Sequence, residues 1–252
     1  MRQQIPAAKK NLAKHAIYSD SAFIALNTAF LHHGAFLYVP DDTFIEDPIH
    51  VLYMFNAHER KRAFQPRMLV VTGKNSNLTV IEHYVGLGNN TYLSNAVTEV
   101  ALGAGSNMEH YRIQQHSSHA FHVGTTQATL HRDSTYTSVV SDMGGGLTRN
   151  NLNVLTADEG ASCTLNGVYI LDGSQHVDNQ VIIDHASPHT NSHELYKGIL
   201  DDESRSVFHG SIIVRENCPK VDARQEDKNL LLSNRAEADT KPAFWIYTDD
   251  VK

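Results

Sequence analysis

Apolar residues change their spacing once along this chain, and the change separates two kinds of element. Between residues 7 and 30, Leu12, Ala16, Ala22, Phe23, Leu26 and Phe30 fall mostly three or four apart, the repeat that brings side chains onto one face of an α-helix. One helix over this stretch is expected, with Gly34 just past its end. Beyond it the apolar residues gather into short runs rich in β-branched and aromatic side chains, at 35–39, 49–55 and 68–71, divided by Pro40, Pro48 and Pro66. These read as strands.

From Leu78 onward, brief alternating segments recur about every 10–15 residues, a spacing suited to a sandwich, barrel or solenoid. Tyr111/Ile113, Phe121/Val123 and Leu152/Val154 each place two apolar side chains on one face, with His122 or Asn153 facing the other way because the strand period is two. The one Asn-Gly hairpin signal is Asn166-Gly167. Other connections are longer, such as Gly144-Gly145-Gly146 and Asp201-Asp202-Glu203-Ser204. Long polar connections favour stacked coils over hairpins, but no exact repeat is visible and the sandwich stays open on periodicity alone. The expected organisation is a lead-in of helix and strands over 1–77 and a repetitive β core over 78–252.

Composition narrows the function. A formal net charge of −7 without a Lys/Arg-rich run offers no footprint for a phosphate backbone or an anionic membrane surface, so neither nucleic acid nor membrane is expected as a partner. No charged segment leading into an apolar core follows Met1, and a cytoplasmic location is expected. Cys163 and Cys218 stand far apart outside any Cys-x-x-Cys pair, which argues against a disulfide framework and a thiolate zinc site. Gly144-Gly145-Gly146 is not followed by Gly-Lys-Ser/Thr and reads as a tight corner rather than a phosphate loop. No Gly-x-Ser-x-Gly elbow is present either, so hydrolase chemistry has no anchor.

The 16 histidines invite a metal reading. His116, His119 and His122 would share a side of a helix, but Phe121/Val123 argue for a strand, so surface and turn histidines are expected. His185, His189 and His193 share parity, and Pro188 divides them with a turn. No metal site is assigned. Cys163 alternates with Leu165 and reads as a small buried hydrophobe, with a sulfur- or iron-handling thiol as the sharper alternative. Cys218, before Pro219 in a polar loop, is expected to be exposed. At the end of the chain Phe244/Ile246 alternate with Trp245/Tyr247 before Asp249-Asp250. Aromatic residues on both faces suit a strand covered by the solenoid on one side and a partner on the other, making Trp245, Tyr247, Asp249 and Asp250 the candidate interface.

Several segments resemble the SufB/SufD family, nearer its SufD branch. They are His193-Glu194-Leu195-Tyr196-Lys197-Gly198-Ile199-Leu200 with Ser204-Arg205-Ser206-Val207-Phe208-His209-Gly210; Gln175-His176-Val177-Asp178-Asn179 with Asp184-His185 and Pro188-His189-Thr190; and Asn229-Leu230-Leu231-Leu232-Ser233 with Asp239-Thr240-Lys241-Pro242. Weaker similarity runs through Gly145 to Leu152, His119 to His122, and Pro66-Arg67. The resemblance implies an all-β fold, a right-handed parallel β-helix with a short N-terminal helical segment. It also implies a non-catalytic scaffold in iron–sulfur cluster assembly, partnered by a SufB-like subunit and a SufC-like ATPase. No cofactor is expected in this chain, and a transient iron–sulfur cluster is expected only in the full complex. Pairing of the isolated chain with a second copy of itself is kept open. Members of the branch continue past the equivalent of Asp249-Asp250-Val251-Lys252 into a Cys/His element and a helical region, so the family's cluster-interface ligands are expected beyond Lys252. A rival from another class is a cupin-like metal-dependent β-barrel enzyme, whose usual His-x-His pair is missing here.

Overall fold

The computed structural model describes residues 6–57 and 61–252. Two short helices, α1 (Pro6–Asn11) and α2 (Ala22–Ala29), precede a stack of strands. The strands are β1 (Gly34–Val39), β2 (Ile49–Phe55), β3 (Arg62–Phe64), β4 (Arg67–Thr72), β5 (Asn77–Gly86), β6 (Tyr92–Leu102), β7 (Asn107–Gln115), β8 (Phe121–Leu130), β9 (Thr135–Asp142), β10 (Leu147–Thr156), β11 (Ser162–Leu171), β12 (His176–His185), β13 (Asn191–Leu200), β14 (Arg205–Val214), β15 (Asp222–Leu231) and β16 (Glu237–Ile246). One sheet runs β1-β4-β6-β8-β10-β12-β14-β16, with β3 beside β6, and the other runs β15-β13-β11-β9-β7-β5-β2. From β4 on, successive strands alternate between the two sheets, and every strand pair is parallel. The fold is therefore a β-solenoid. An antiparallel barrel of the cupin type is ruled out by the same pairing.

In-register stacking turns the strand period into columns. Val70, Val100, Ala128, Val154, Ile183, Ile212 and Phe244 occupy one inward column, and Leu78, Met108, Tyr136, Cys163, Ser192 and Ala223 face them from the other sheet. Alternate burial along β9 to β14 follows directly. Each fully buried Val, Ile or Leu contributes roughly 1.5–3 kcal/mol, so the columns are the main source of stability. Asn166-Gly167 lies within β11 and makes no hairpin. A side chain at Gly167 would begin 2.2 Å from the ring of Tyr196, the register neighbour, so the glycine gives that ring its place.

The corners explain why no repeat shows by eye. Asn75, Gly105, Asp133, Gly160 and His189 all adopt positive φ at equivalent corners, a backbone open mainly to Gly and Asx residues. At four of the five corners the next residue is Ser76, Ser106, Ser134 or Thr190, whose hydroxyl donates to the carbonyl three residues back at 2.6–3.1 Å. The repeat is thus one of backbone conformation followed by a hydroxyl, satisfied by several residue types.

The N-terminal segment departs from expectation. In place of one helix over 7–30 there are two, and the turn between them is held by a buried carboxylate. Glu99, on β6, accepts from the backbone N–H of Ala13 (2.9 Å), His15 (3.0 Å) and Ala16 (3.1 Å) and from Arg67 Nε (3.1 Å) and Nη2 (2.6 Å). Three inward-pointing N–H groups cannot also serve a continuous helix, and Ala13 takes positive φ to present them. Ser21 then caps α2 by accepting from Phe23 N–H, and Ile24 packs with Ala16 against Val97. None of the described helices is long and apolar enough to cross a membrane.

Candidate functional site

Two regions stand apart from an ordinary core: a polar stretch inside the solenoid and an apolar floor at its last coil. The first begins where the inward columns of β5 to β8 carry polar side chains. The Tyr136 hydroxyl is hydrogen-bonded to His110 Nδ1 (2.9 Å), and His110 Nε2–H donates to the Glu82 carboxylate (3.0 Å). Tyr84 and Thr98 also donate to Glu82. Burial alone would push the Glu82 carboxyl up, but bonds from His110, Tyr84 and Thr98 outweigh it and hold the group below the usual carboxylate range.

A second chain of bonds crosses from β6 to β8. The Tyr92 hydroxyl is hydrogen-bonded to His116 Nδ1 (2.8 Å), and His116 Nε2 to His122 Nδ1 (3.1 Å), with Ser94 Oγ also beside His122 Nδ1. His116 and His122 are buried while His119 is exposed. The expectation of surface and turn histidines is therefore corrected for His116 and His122, because the columns point them inward where hydrogen bonds can satisfy them. Burial lowers His116 to about 3 and holds His122 well below its ordinary value, so both are neutral. Toward the later coils, Asn150 Nδ2 donates to Asp142 (2.6 Å) and to Asn179 Oδ1 (2.9 Å). Glu194 is fully buried and its carboxyl is pushed by burial, and then by Asp227, up to about 8.

The other histidine set separates as Pro188 implied. His185 is buried between Thr190 (2.7 Å) and Ser192 (2.9 Å), His189 sits in the corner at positive φ, and His193 is exposed. Among the described residues no group of three His, Cys, Asp or Glu side chains is placed to hold a metal ion. Cys163 is buried in its column, and burial raises its thiol well above the ordinary range, which disfavours the reactive thiolate. Cys218 is also buried, against the expectation of exposure. It belongs to the main core cluster with Val221, because the corner before β15 folds it inward and its thiol donates to the Glu216 carbonyl.

The second region is the end formed by β15 and β16, the terminal strands of the two sheets. Trp245 continues the outward column of Ile213, and Tyr247 follows on the same edge. Both are exposed, at 54 % and 59 %. Asp250 turns the corner at positive φ and pairs with Lys220, so it is engaged within the chain; Asp249 is exposed. Sequence reading passed over the inward residues here. Leu231 follows Leu200, Phe244 follows Ile212 and Ile246 follows Val214, each continuing a buried column yet exposed by 47–48 %. Alternation announces that Phe244 and Ile246 face inward, but only the strand order shows that they lie on the floor of the stack. At the opposite end an apolar groove of about 730 Å³ lies between α2, β1, β2 and β3, lined by Leu26, Phe30, Leu52, Met54 and Phe64 among others.

Comparison with known proteins agrees with this architecture. Residues 53–252 match the family model for the SUF system FeS cluster assembly SufBD core domain, and residues 2–51 match that for the SufBD protein N-terminal region. An iron–sulfur cluster assembly SufBD family protein of Synechocystis is 31 % identical over 92 % of this chain and 53 % of its own length. The iron–sulfur cluster assembly protein SufD of Escherichia coli is 30 % identical over 69 % of this chain and 41 % of its own. SufD of Bacillus subtilis is 26 % identical over 99 % and 57 %. The chain spans about half the length of these curated relatives. With its described strands all paired in parallel and the core-domain match covering residues 53–252, this chain belongs to the SufB/SufD family.

Proposed function

We propose that this chain is the solenoid core of a non-catalytic scaffold subunit in SUF-type iron–sulfur cluster assembly, acting in the cytoplasm. It pairs with a related SufB-like subunit through the coil of β15 and β16, while ATP hydrolysis is supplied by a SufC-like partner. The observation that carries this reading is the floor itself: Leu231, Phe244 and Ile246 extend the buried columns and remain exposed at the end of both sheets. A related solenoid can continue such columns, covering the apolar floor and adding strands to the sheets. The family match and the names of the curated relatives support assembly as the setting.

The test uses the full-length protein, tagged and co-expressed with SufB-like and SufC-like subunits of the same organism, purified without oxygen. Both partners are expected to co-purify, and Phe244→Asp is expected to reduce recovery of the SufB-like subunit at least tenfold while leaving the solenoid folded. Recovery of neither partner with the unmodified protein would overturn the proposal.

A further inference from the structure

At the end of the stack away from β15 and β16, β2 closes its sheet, with β5 on one side and no strand on the other among the described residues. Alternation along the strand settles which backbone groups face the open side. The Phe55 carbonyl accepts from the N–H of Leu87, the residue after β5, so the odd-numbered residues of β2 bond to β5. The N–H and C=O groups of His50, Leu52 and Met54 therefore point away from it.

An edge left in this state is a template for another strand unless charge or proline blunts it. β2 contains no Lys, Arg, Asp, Glu or Pro. Leu52 and Met54 are exposed by 45 % and 64 %, and both line the apolar groove that runs from the strand to α2. The edge thus offers unpaired backbone groups and apolar side chains together.

The charges flanking β2 select what can pair with it. Before the strand, Asp41, Asp42, Glu46 and Asp47 are exposed, offset in part by Lys74, whose backbone N–H donates to Asp41. After it, Lys61 and Arg62 are exposed just before Ala63 and Phe64 of the groove, which His32 and His33 line as well. One end of the edge is acidic and the other basic. A second β2 laid parallel would set like charges together, whereas an antiparallel one sets the acidic end of each copy against the basic end of the other. The edge is complementary to itself.

We propose that this edge is a self-association surface, at which two copies of the chain join β2 to β2, antiparallel, about a two-fold axis through Leu52, the middle residue of Ile49–Phe55. Leu52 then faces Leu52 of the second copy, and His50 faces Met54. Each is a hydrogen-bonded pair, because these residues hold the backbone groups on the open side. The same rotation carries Phe44, exposed by 67 % and tied to the β2 row by its bridge to Asn77, toward the groove end of the other copy. The pairing leaves the β15–β16 floor free for the partner proposed above, so the two contacts are independent.

The experiment is sedimentation equilibrium of the full-length protein, unmodified and as Leu52→Asp and Phe244→Asp. A dimer is expected for the unmodified protein and for Phe244→Asp. Leu52→Asp sets two carboxylates face to face across the axis and is expected to weaken the dimer at least about tenfold, with an unchanged circular dichroism spectrum because the side chain is exposed in the single chain. Cross-linking then reads the register. Facing residues of a hydrogen-bonded antiparallel pair lie about 5.5 Å apart at Cα, within disulfide range, and both native cysteines are buried. With oxidised glutathione as the oxidant, Leu52→Cys is expected to give a disulfide-linked dimer, and Met54→Cys, which faces His50, is not. An unmodified protein that stays monomeric at roughly 100 μM, a dimer that Phe244→Asp dissolves and Leu52→Asp leaves intact, or equal cross-linking of the two cysteine variants would overturn the proposal.

Discussion

Replacing Glu99 with alanine isolates the contact that ties the N-terminal segment to the solenoid. The carboxylate accepts three backbone N–H groups and two bonds from Arg67, with both side chains out of water. Removing one partner of a buried pair costs about 3–5 kcal/mol, because the remaining charge is left without compensation. Other contacts also hold the segment, among them His15 with Thr129 and Asn95 Nδ2 with the Phe23 carbonyl. Ile24 burial contributes roughly 1.5–3 kcal/mol, and the two bonds from Asn27 Nδ2 to the carbonyls of Pro66 and Asn95 add about 1 kcal/mol each. The loss leaves the turn over residues 13–16 without the acceptor of its three amides, and this turn should open locally while the later coils stay intact. Hydrogen exchange reads this directly. Protection of the Ala13, His15 and Ala16 amides is expected to fall at least about 100-fold, with amides of β10 to β13 unchanged. Pairing Glu99→Leu with Arg67→Met removes both charges and should restore much of the protection. Exchange at those three amides within threefold of the unmodified protein in Glu99→Ala would refute the reasoning.

Other consequences are equally open to measurement. Glu194 keeps its proton in the folded state up to about pH 8, whereas the unfolded chain has lost it near pH 4.5. The native state then binds more protons between these values, so this group's stabilisation declines as pH rises, by roughly 2 kcal/mol between pH 6.5 and 8. Urea midpoints across that window should fall for the unmodified protein and stay flat for Glu194→Gln. On the acid side His116 and His185 are buried neutral, with values near 3 and 4, so stability should be lost as pH drops from about 6.5 toward 4; a midpoint that rises over that range would contradict their buried, neutral state. Gly167→Ala sets a new methyl 2.2 Å from the Tyr196 ring and should destabilise by about 1–3 kcal/mol, measured by thermal denaturation. Cys163 and Cys218 are both buried and should resist iodoacetamide until the chain is unfolded; rapid alkylation of Cys163 in the native protein would revive the reactive-thiol reading.

Much of the architecture was legible because it rests on a local rule. Alternation at Leu152/Val154 and the long polar corners pointed to stacked coils, and the His193 to Gly210 segments identified the family. What escaped was set by contacts distant in sequence. The break in the expected helix comes from Glu99, more than eighty positions beyond the N–H groups it binds. His116 and His122 looked like surface residues because histidine is polar, yet the register places Tyr92 and Ser94 beside them inside the stack. Cys218 lies in a polar stretch, and only the corner geometry turns it inward. A signal for the coil repeat was present in the small hydroxyl residue after Asn75, Gly105 and Asp133, but it is a conformational repeat and does not register as repeated identity.

The exposed floor at Leu231, Phe244 and Ile246 is the feature on which the scaffold reading rests. An electron cryomicroscopy structure of the reconstituted complex of the full-length protein with its SufB-like and SufC-like partners tests it most directly. The SufB-like solenoid is expected against the β15–β16 end, continuing the two sheets. A SufB-like subunit seated instead on the groove between α2 and β2, or on the outer face of either sheet, would contradict the account.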